Sequence, residues 1–353
     1  MKERVFGKMP DGRTVKAYLL TNGRGAAAEV LNIGATVRSL SMPDREGRLS
    51  DVVLGCDTVD DYLASPYFGA VVGRYGNRIA RGRFTLNGHE HALAVNNGEN
   101  HLHGGGVGFN QRYWAIERVR AESGEAVKAA LQSPDGEEGY PGNLDLAVTI
   151  TLTGENVLRF EYVGTADLPT IVNPTHHGYF NLSGDLSSSI LDHRLQINAE
   201  TITPVDGGLI PTGDFMTVAG TPMDFNTQEA VGARIDADFE QLRYGGGYDH
   251  NYVLNNYEKG RVREAATVFH PGSGRTMTVY TDQPGVQLYT GNFLDGTITG
   301  KGGTAYPRRS GLCLETQHHP DSPNHPAFPS VVLRPGETYR HVTEYRFGSE
   351  IGG

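Results

Sequence analysis

Five stretches of the sequence carry residue types that move protons or grip hydroxyl groups. The most informative runs Gly311-Leu312-Cys313-Leu314-Glu315-Thr316-Gln317-His318-His319-Pro320-Asp321. Its apolar start reads as a short buried strand with Glu315 at the polar end. A carboxylate there is partly desolvated, which raises its pKa toward the range useful for a general base. His318, His319 and Asp321 invite a metal, but HxH and HxxxH spacings are absent from this segment, so no metal is expected. The second stretch is Asn173-Pro174-Thr175-His176-His177-Gly178-Tyr179-Phe180-Asn181-Leu182. Adjacent strand residues point to opposite faces, so one of His176 and His177 serves a site and the other the core. His177 and Tyr179 share a face.

The other three stretches offer hydrogen-bonding groups. Asn77-Arg78 combines a guanidinium fork with an amide, which suits adjacent sugar hydroxyls, or a structural tie between two strands. His103 precedes Gly104-Gly105, a pair that lets backbone approach a ligand closely. Asp249-His250 reads as a metal pair, a charge relay, a hydroxyl acceptor or a structural element. Gln283, Gln287 and Tyr289 fall at alternate positions and are expected on one strand face. GxSxG, Walker and GxGxxG signatures are absent, so serine hydrolase, nucleotide phosphotransfer and dehydrogenase chemistry have no support.

These residues need elements to hold them, and the pattern for those is β. Glycine (47) and proline (18) punctuate short runs of period two throughout the 353 residues. Leu146–Leu152 and Leu158–Tyr162, joined through Gly154-Glu155-Asn156, read as a β-hairpin. Arg275–Tyr280 and Gly285–Thr290 read the same way, and Ala26–Ile33 and His341–Phe347 also read as strands. Helices are predicted only at Asp57–Leu63 and Thr227–Ile235. The expected fold is all-β, a single large β-sandwich domain over residues 1–353 with few short helices. A net charge of −10 without a basic run of more than two residues argues against nucleic acid and anionic membranes. Cys56 and Cys313 read as two buried thiols of a reducing compartment. The charged N-terminal stretch lacks an apolar signal region, and runs of about 18 apolar residues are absent. A cytoplasmic protein is expected.

Six motifs in order resemble the aldose 1-epimerases: Asn77-Arg78-Ile79, Leu102-His103-Gly104-Gly105, Asp135 through Asn143, Asn173 through Leu182, Asp249-His250-Asn251, and Glu315-Thr316-Gln317 with Pro323-Asn324. The resemblance spans about residues 5 to 347. It implies a galactose-mutarotase-like supersandwich, no cofactor, and a free monosaccharide such as galactose or glucose as substrate. It implies His177 as general acid and Glu315 as general base, with Asn77, Arg78, His103, Tyr179, Asp249 and Gln287 binding the sugar. Tyr75-Gly76 departs from the Val-Ala of many relatives, a change expected to affect packing. His176 stands where some relatives have Asn, which favours His177 as the functional histidine.

Anomer exchange opens the ring, turns the aldehyde and closes the ring on the other face. A base takes the proton of the C1 hydroxyl while an acid protonates the ring oxygen. The two groups are expected to face each other across a gap about the width of a pyranose, in a shallow open groove. Two alternatives are a phosphorylated-hexose epimerase, for which Arg308-Arg309 is the nearby anion-binding candidate, and a noncatalytic carbohydrate-binding module. A monomer or weak homodimer is expected.

Overall fold

The computed structural model describes residues 2–64 and 67–350; Met1 and residues 351–353 of the expected domain lie outside them. Three larger antiparallel sheets dominate. The largest has nine strands, in the order Ala115–Ala121, Gly124–Ser133, Leu144–Thr153, Val157–Ala166, Tyr339–Ser349, Arg275–Thr281, Arg263–Phe269, Arg194–Ile197 and Glu229–Ala230. A five-stranded sheet runs from Lys2–Lys8 through Leu49–Asp51 in simple meander order. A second five-stranded sheet is ordered Met216–Thr217, Thr201–Ile202, Asp249–Val253, Gly285–Tyr289, Cys313–Gln317. Among the described residues no helix is long and apolar enough to cross a membrane.

The period-two pattern dictates the core. Leu144, Leu146, Val148, Ile150 and Leu152 face inward with Leu158, Phe160 and Tyr162. Asn156 turns the expected hairpin at φ 59°, a left-handed position that Asn adopts at low cost. The second five-stranded sheet lies against the nine-stranded one. Tyr345 donates its hydroxyl to the Leu314 carbonyl at 3.1 Å, and Thr316 hydrogen-bonds His341 at 3.2 Å. Leu288, Val286 and Leu314 join the same core as Phe160 and Tyr345. Both faces of Gly285–Tyr289 and Cys313–Gln317 are buried, one by this core.

Three expectations change. Arg275–Thr281 and Gly285–Tyr289 are strands, but they belong to different sheets; Arg275–Thr281 forms its hairpin with Arg263–Phe269. The helix expected at Thr227–Ile235 is reduced to a single 3-10 turn at Val231–Ala233. Glu229–Ala230 instead pairs with Arg194–Ile197, and Val231 and Gly232 donate to His193 and Leu191 carbonyls at 2.8 Å. Backbone partners on a neighbouring strand outweighed a weak local preference. A short helix forms instead at Glu240–Gly245, preceded by Phe239 with no capping side chain, so the usual start signal is missing. The helix at Val59–Ala64 was expected.

Candidate active site

The second five-stranded sheet presents a polar face. Asp249 and Asn251 alternate on one strand, Gln287 and Tyr289 on the next, Cys313, Glu315 and Gln317 on the third. Register aligns Asn251, Gln287 and Glu315 in one row and Asp249, Tyr289 and Cys313 in the next. Glu315 sits in the middle of its strand, not at its end, because the strand continues to Gln317. The Thr175–His176 strand packs alongside, and its continuation brings His177 over Cys313. His177 is clamped through its backbone: its N–H donates to Ala70 and its carbonyl accepts from Gly69.

A second unit closes over this face. Arg78–Ile79 pairs with His101–Leu102. Asn77 and His103 both adopt left-handed conformations, φ 65° and 50°. They clasp each other: Asn77 N–H donates to His103 Nδ1 at 3.0 Å, and His103 N–H donates to the Asn77 carbonyl at 3.1 Å. A left-handed histidine held in place from both sides is typical of functional sites. Gly104 and Gly105 serve packing here. A Cβ on Gly104 would lie 1.7 Å from the Gly73 carbonyl oxygen, and one on Gly105 would meet the Glu138 carboxylate. Asp321 braces the unit by accepting from Ala80 N–H while its own N–H donates to the Arg78 carbonyl. Tyr75 packs fully buried and donates to the His319 carbonyl.

Between the two units lies a cavity of about 330 Å³. His177, Glu315, Asn77, Arg78, His103, Tyr179 and Asp249 all line it. His177 Nε2 lies 3.5 Å from Glu315 Oε1. The imidazole is stacked between Tyr67 and Tyr179, with ring centroids 5.5 and 4.9 Å away, and meets His103 edge-on at 5.1 Å. Gln287 does not line the cavity. It lies behind Asp249 and donates to its carboxylate at 2.7 Å. Tyr67, Asn96, Asn97, Leu102, Tyr289 and Phe293 complete the wall. Asn97 accepts from Arg78 Nε at 3.1 Å. Asn96 and Asn97 lie in a polar, histidine-rich stretch of the sequence. Tyr67 lies outside every such stretch, so the sequence carried no signal for it.

The expected pyranose-wide gap is not what the structure has. O1 and O5 of a pyranose are both bonded to C1, so the two protons to be moved are neighbours, and a base and acid 3.5 Å apart match that spacing. Burial pushes the Glu315 carboxyl well up, Asp249's charge adds to this, and Arg78 opposes it. Burial lowers His177 to about 3 and His103 well below the ordinary range. Asp249 is also raised by burial, against Arg78 and the Gln287 hydrogen bond.

His103, His177 and Glu315 offer metal-ligand atoms within 4.8 Å of one another. The Asn77 N–H occupies the Nδ1 lone pair of His103, so its neutral ring points an Nε2–H into the cavity. That tautomer suits a hydroxyl oxygen and not a metal.

Other expected residues go elsewhere. His176 is core, its ring 4.3 Å from Phe160. Gln283 shares no wall with Gln287; it faces a separate cavity with His318, whose ring it hydrogen-bonds at 2.8 Å. His319 accepts from Asn251. His250 accepts the Asp249 N–H and lies fully buried. Arg308 and Arg309 both donate to the Gly246 carbonyl and line no part of the sugar-sized cavity. The structural arginine is Arg74, 1% exposed, bonded to the carbonyls of Pro141, Gly142 and Ser133. Pro141 and Gly142 belong to the Asp135–Asn143 motif, which Arg74 thereby holds in place.

A family model described as Aldose 1-epimerase matches residues 16–346. Galactose mutarotase of Bos taurus is 47% identical over 345 residues, 97% of each chain. Aldose 1-epimerase of Escherichia coli K12 is 40% identical over 344 residues, again 97% of each chain. The crystal structure of galactose 1-epimerase from Lactobacillus acidophilus superposes with a TM-score of 0.86 at 29% identity, covering 99% of this chain and 100% of that one. The chain therefore belongs to the aldose 1-epimerase family, and the isomerase activity of that family, the exchange of sugar anomers, is its own.

Proposed function

We propose that this protein interconverts the α and β anomers of a free aldose, galactose or glucose among them, with Glu315 as base and His177 as acid. The observation that carries the assignment is their 3.5 Å approach inside a cavity walled by Asn77, Arg78, His103 and Asp249. Buried together, the pair holds one proton. Burial favours it on the carboxyl, whereas the Arg78 guanidinium favours the ionised carboxylate, the form in which the proton sits on imidazole. A polar sugar that replaces lost hydration stabilises the second form. Glu315 then takes the O1 proton while His177 gives its proton to O5, and the roles reverse when the ring closes.

Asp249, Arg78, Asn77 and His103 hold hydroxyls away from C1, Tyr179 backs the His177 ring, and Gln287 orients Asp249 for that grip. C1–O1 is left free to turn. The reaction needs neither a metal nor an organic cofactor, because no electrons or groups are transferred. The protein acts as a single domain, a monomer or weak dimer of the cytoplasm, in hexose and galactose metabolism. Polarimetry of freshly dissolved α-galactose is the test. The protein should speed the approach to the equilibrium rotation, and Glu315→Gln should abolish most of that acceleration. A normal rate in that variant removes Glu315 from the reaction.

A further inference from the structure

Below the cavity floor, six buried side-chain atoms have no hydrogen-bond partner among the described residues: Thr175 Oγ1, Asn251 Oδ1, Gln287 Oε1, Glu315 Oε2, and both amide atoms of Gln317. All five residues are 3% exposed or less. Register brings them together. Asn251, Gln287 and Glu315 form one cross-strand row. Gln317 follows Glu315 on the same face, opposite Gly285, which carries no side chain. Thr175 lies between Asn173, which accepts from His318 N–H, and His177, which touches Cys313 Sγ, so it flanks the same strand.

Native interiors leave few polar side-chain atoms unpaired, and orphans clustered in one place point to a bound polar molecule. The inventory here matches water. The amide Nε2 of Gln317 and the hydroxyl of Thr175 donate; Glu315 Oε2 and the amide oxygen of Gln287 accept. One water with two donors and two acceptors among its partners has the coordination usual for a buried water.

We propose that Gln317 is a positioning residue for Glu315, bound to its Oε2 through a buried water that fixes the carboxylate and stabilises its ionised form. This rests on Glu315 being the base of the reaction proposed above. Glu315 Oε1 faces His177, so Oε2 is the free oxygen through which the protein sets orientation. The other titratable groups around Glu315 are Asp249, Arg78 and His103 across the cavity, and Cys313 beside it. The phenols of Tyr67, Tyr179 and Tyr289 also face it, with Tyr345 behind the strand. Arg78 is the cation among them, and it serves both Glu315 and Asp249. A donor dedicated to Glu315 has to come from below.

The test is Gln317→Met, which keeps length and packing, assayed by polarimetry on α-galactose from pH 4 to 9. The expected result is a fall in kcat of roughly tenfold with KM within about twofold, because Gln317 does not line the cavity. Losing a donor to the ionised form raises the Glu315 pKa, so the acid limb of kcat should move to higher pH by about one unit. Gln317→Asn, which retains an amide beside space for water, should recover part of both. A folded Gln317→Met with unchanged kcat and acid limb overturns the proposal. If that variant does not fold, a high-resolution crystal structure of the unmodified protein decides. Water density within hydrogen-bond distance of both Gln317 Nε2 and Glu315 Oε2 supports the proposal, and its absence overturns it. Glu315→Gln in the same assay separates the two ideas. Full activity there sinks the base assignment, whereas an inactive Glu315→Gln beside a normal Gln317→Met sinks only the positioning role.

Discussion

Among the described residues, two places bring two imidazoles and one carboxylate within 4.8 Å: His103, His177 and Glu315 in the cavity, and the buried His193 and His270 beside Asp192, whose side chain reaches the surface. The inventories are alike and the environments are opposite. In the surface cluster every ring is spoken for. Leu182 N–H donates to His193 Nε2 and Ser273 N–H donates to His270 Nδ1, so both rings turn their remaining N–H toward Asp192, at 3.1 and 3.3 Å. The Asp192 side chain is 63% exposed and, hydrogen-bonded by His193, sits below the usual carboxylate range. In the cavity the carboxylate is 2% exposed, raised, and has one oxygen without a partner among the described residues. Satisfied groups make a brace; unsatisfied buried groups poised against each other make a reagent.

Substitution should expose that difference. The largest expected effect is Glu315→Gln, which should lower kcat by ~10²–10⁴, with His177→Asn costing at least ~10², both read by polarimetry. Matched Asp192→Asn should leave kcat within about twofold and lower stability by no more than about 1 kcal/mol in thermal melts, since the Asp192 side chain is 63% exposed. Equal effects at the two clusters would erase the distinction drawn above.

Acid should act through buried rings held far below the ordinary imidazole range. His176, His177, His250 and His318 are lowered to about 3, and His319 and His341 to about 4, all by burial. Their folded pKa values lie below the unfolded value of 6.5, so the unfolded chain binds more protons below that pH. Stability is therefore full above about pH 6.5 and is lost as pH falls toward 3–4, by up to ~1.4 kcal/mol per pH unit for each ring. A melting temperature that stays flat from pH 7 to 4 would contradict this. Asp249→Ala should chiefly raise KM, roughly 10-fold or more, with a smaller change in kcat. The smallest expected effect is that of a chelator, which should leave the rate unchanged. A rate that falls with chelation and returns with a divalent ion would overturn the tautomer argument at His103.

The strands were legible because burial leaves a period-two trace: Leu144 through Leu152 shows it in every second residue. The helix at Glu240–Gly245 was not, because Phe239 caps it without a side-chain bond and only Gly246 marks its end. His177 and Glu315 were legible as residue types at the edges of apolar runs. Their 3.5 Å spacing was not. It depends on the register between Gly285–Tyr289 and Cys313–Gln317 and on Thr175–His176 packing beside them. Gln287 was read as a sugar contact from its strand face, and that face is correct. Asp249, on the strand beside it, stands between Gln287 and the cavity.

By itself the amino-acid order determined an all-β chain and the family motifs, and marked His177 and Glu315 as the candidate acid and base, because alternation and residue chemistry are local properties. Tertiary structure alone decided how closely that pair approaches and which of two arginines, Arg74 or Arg78, becomes a brace. It also decided which carboxylate is stripped of water. Those outcomes depend on what a distant strand places against each side chain, and burial, not identity, sets the free energy of a charge.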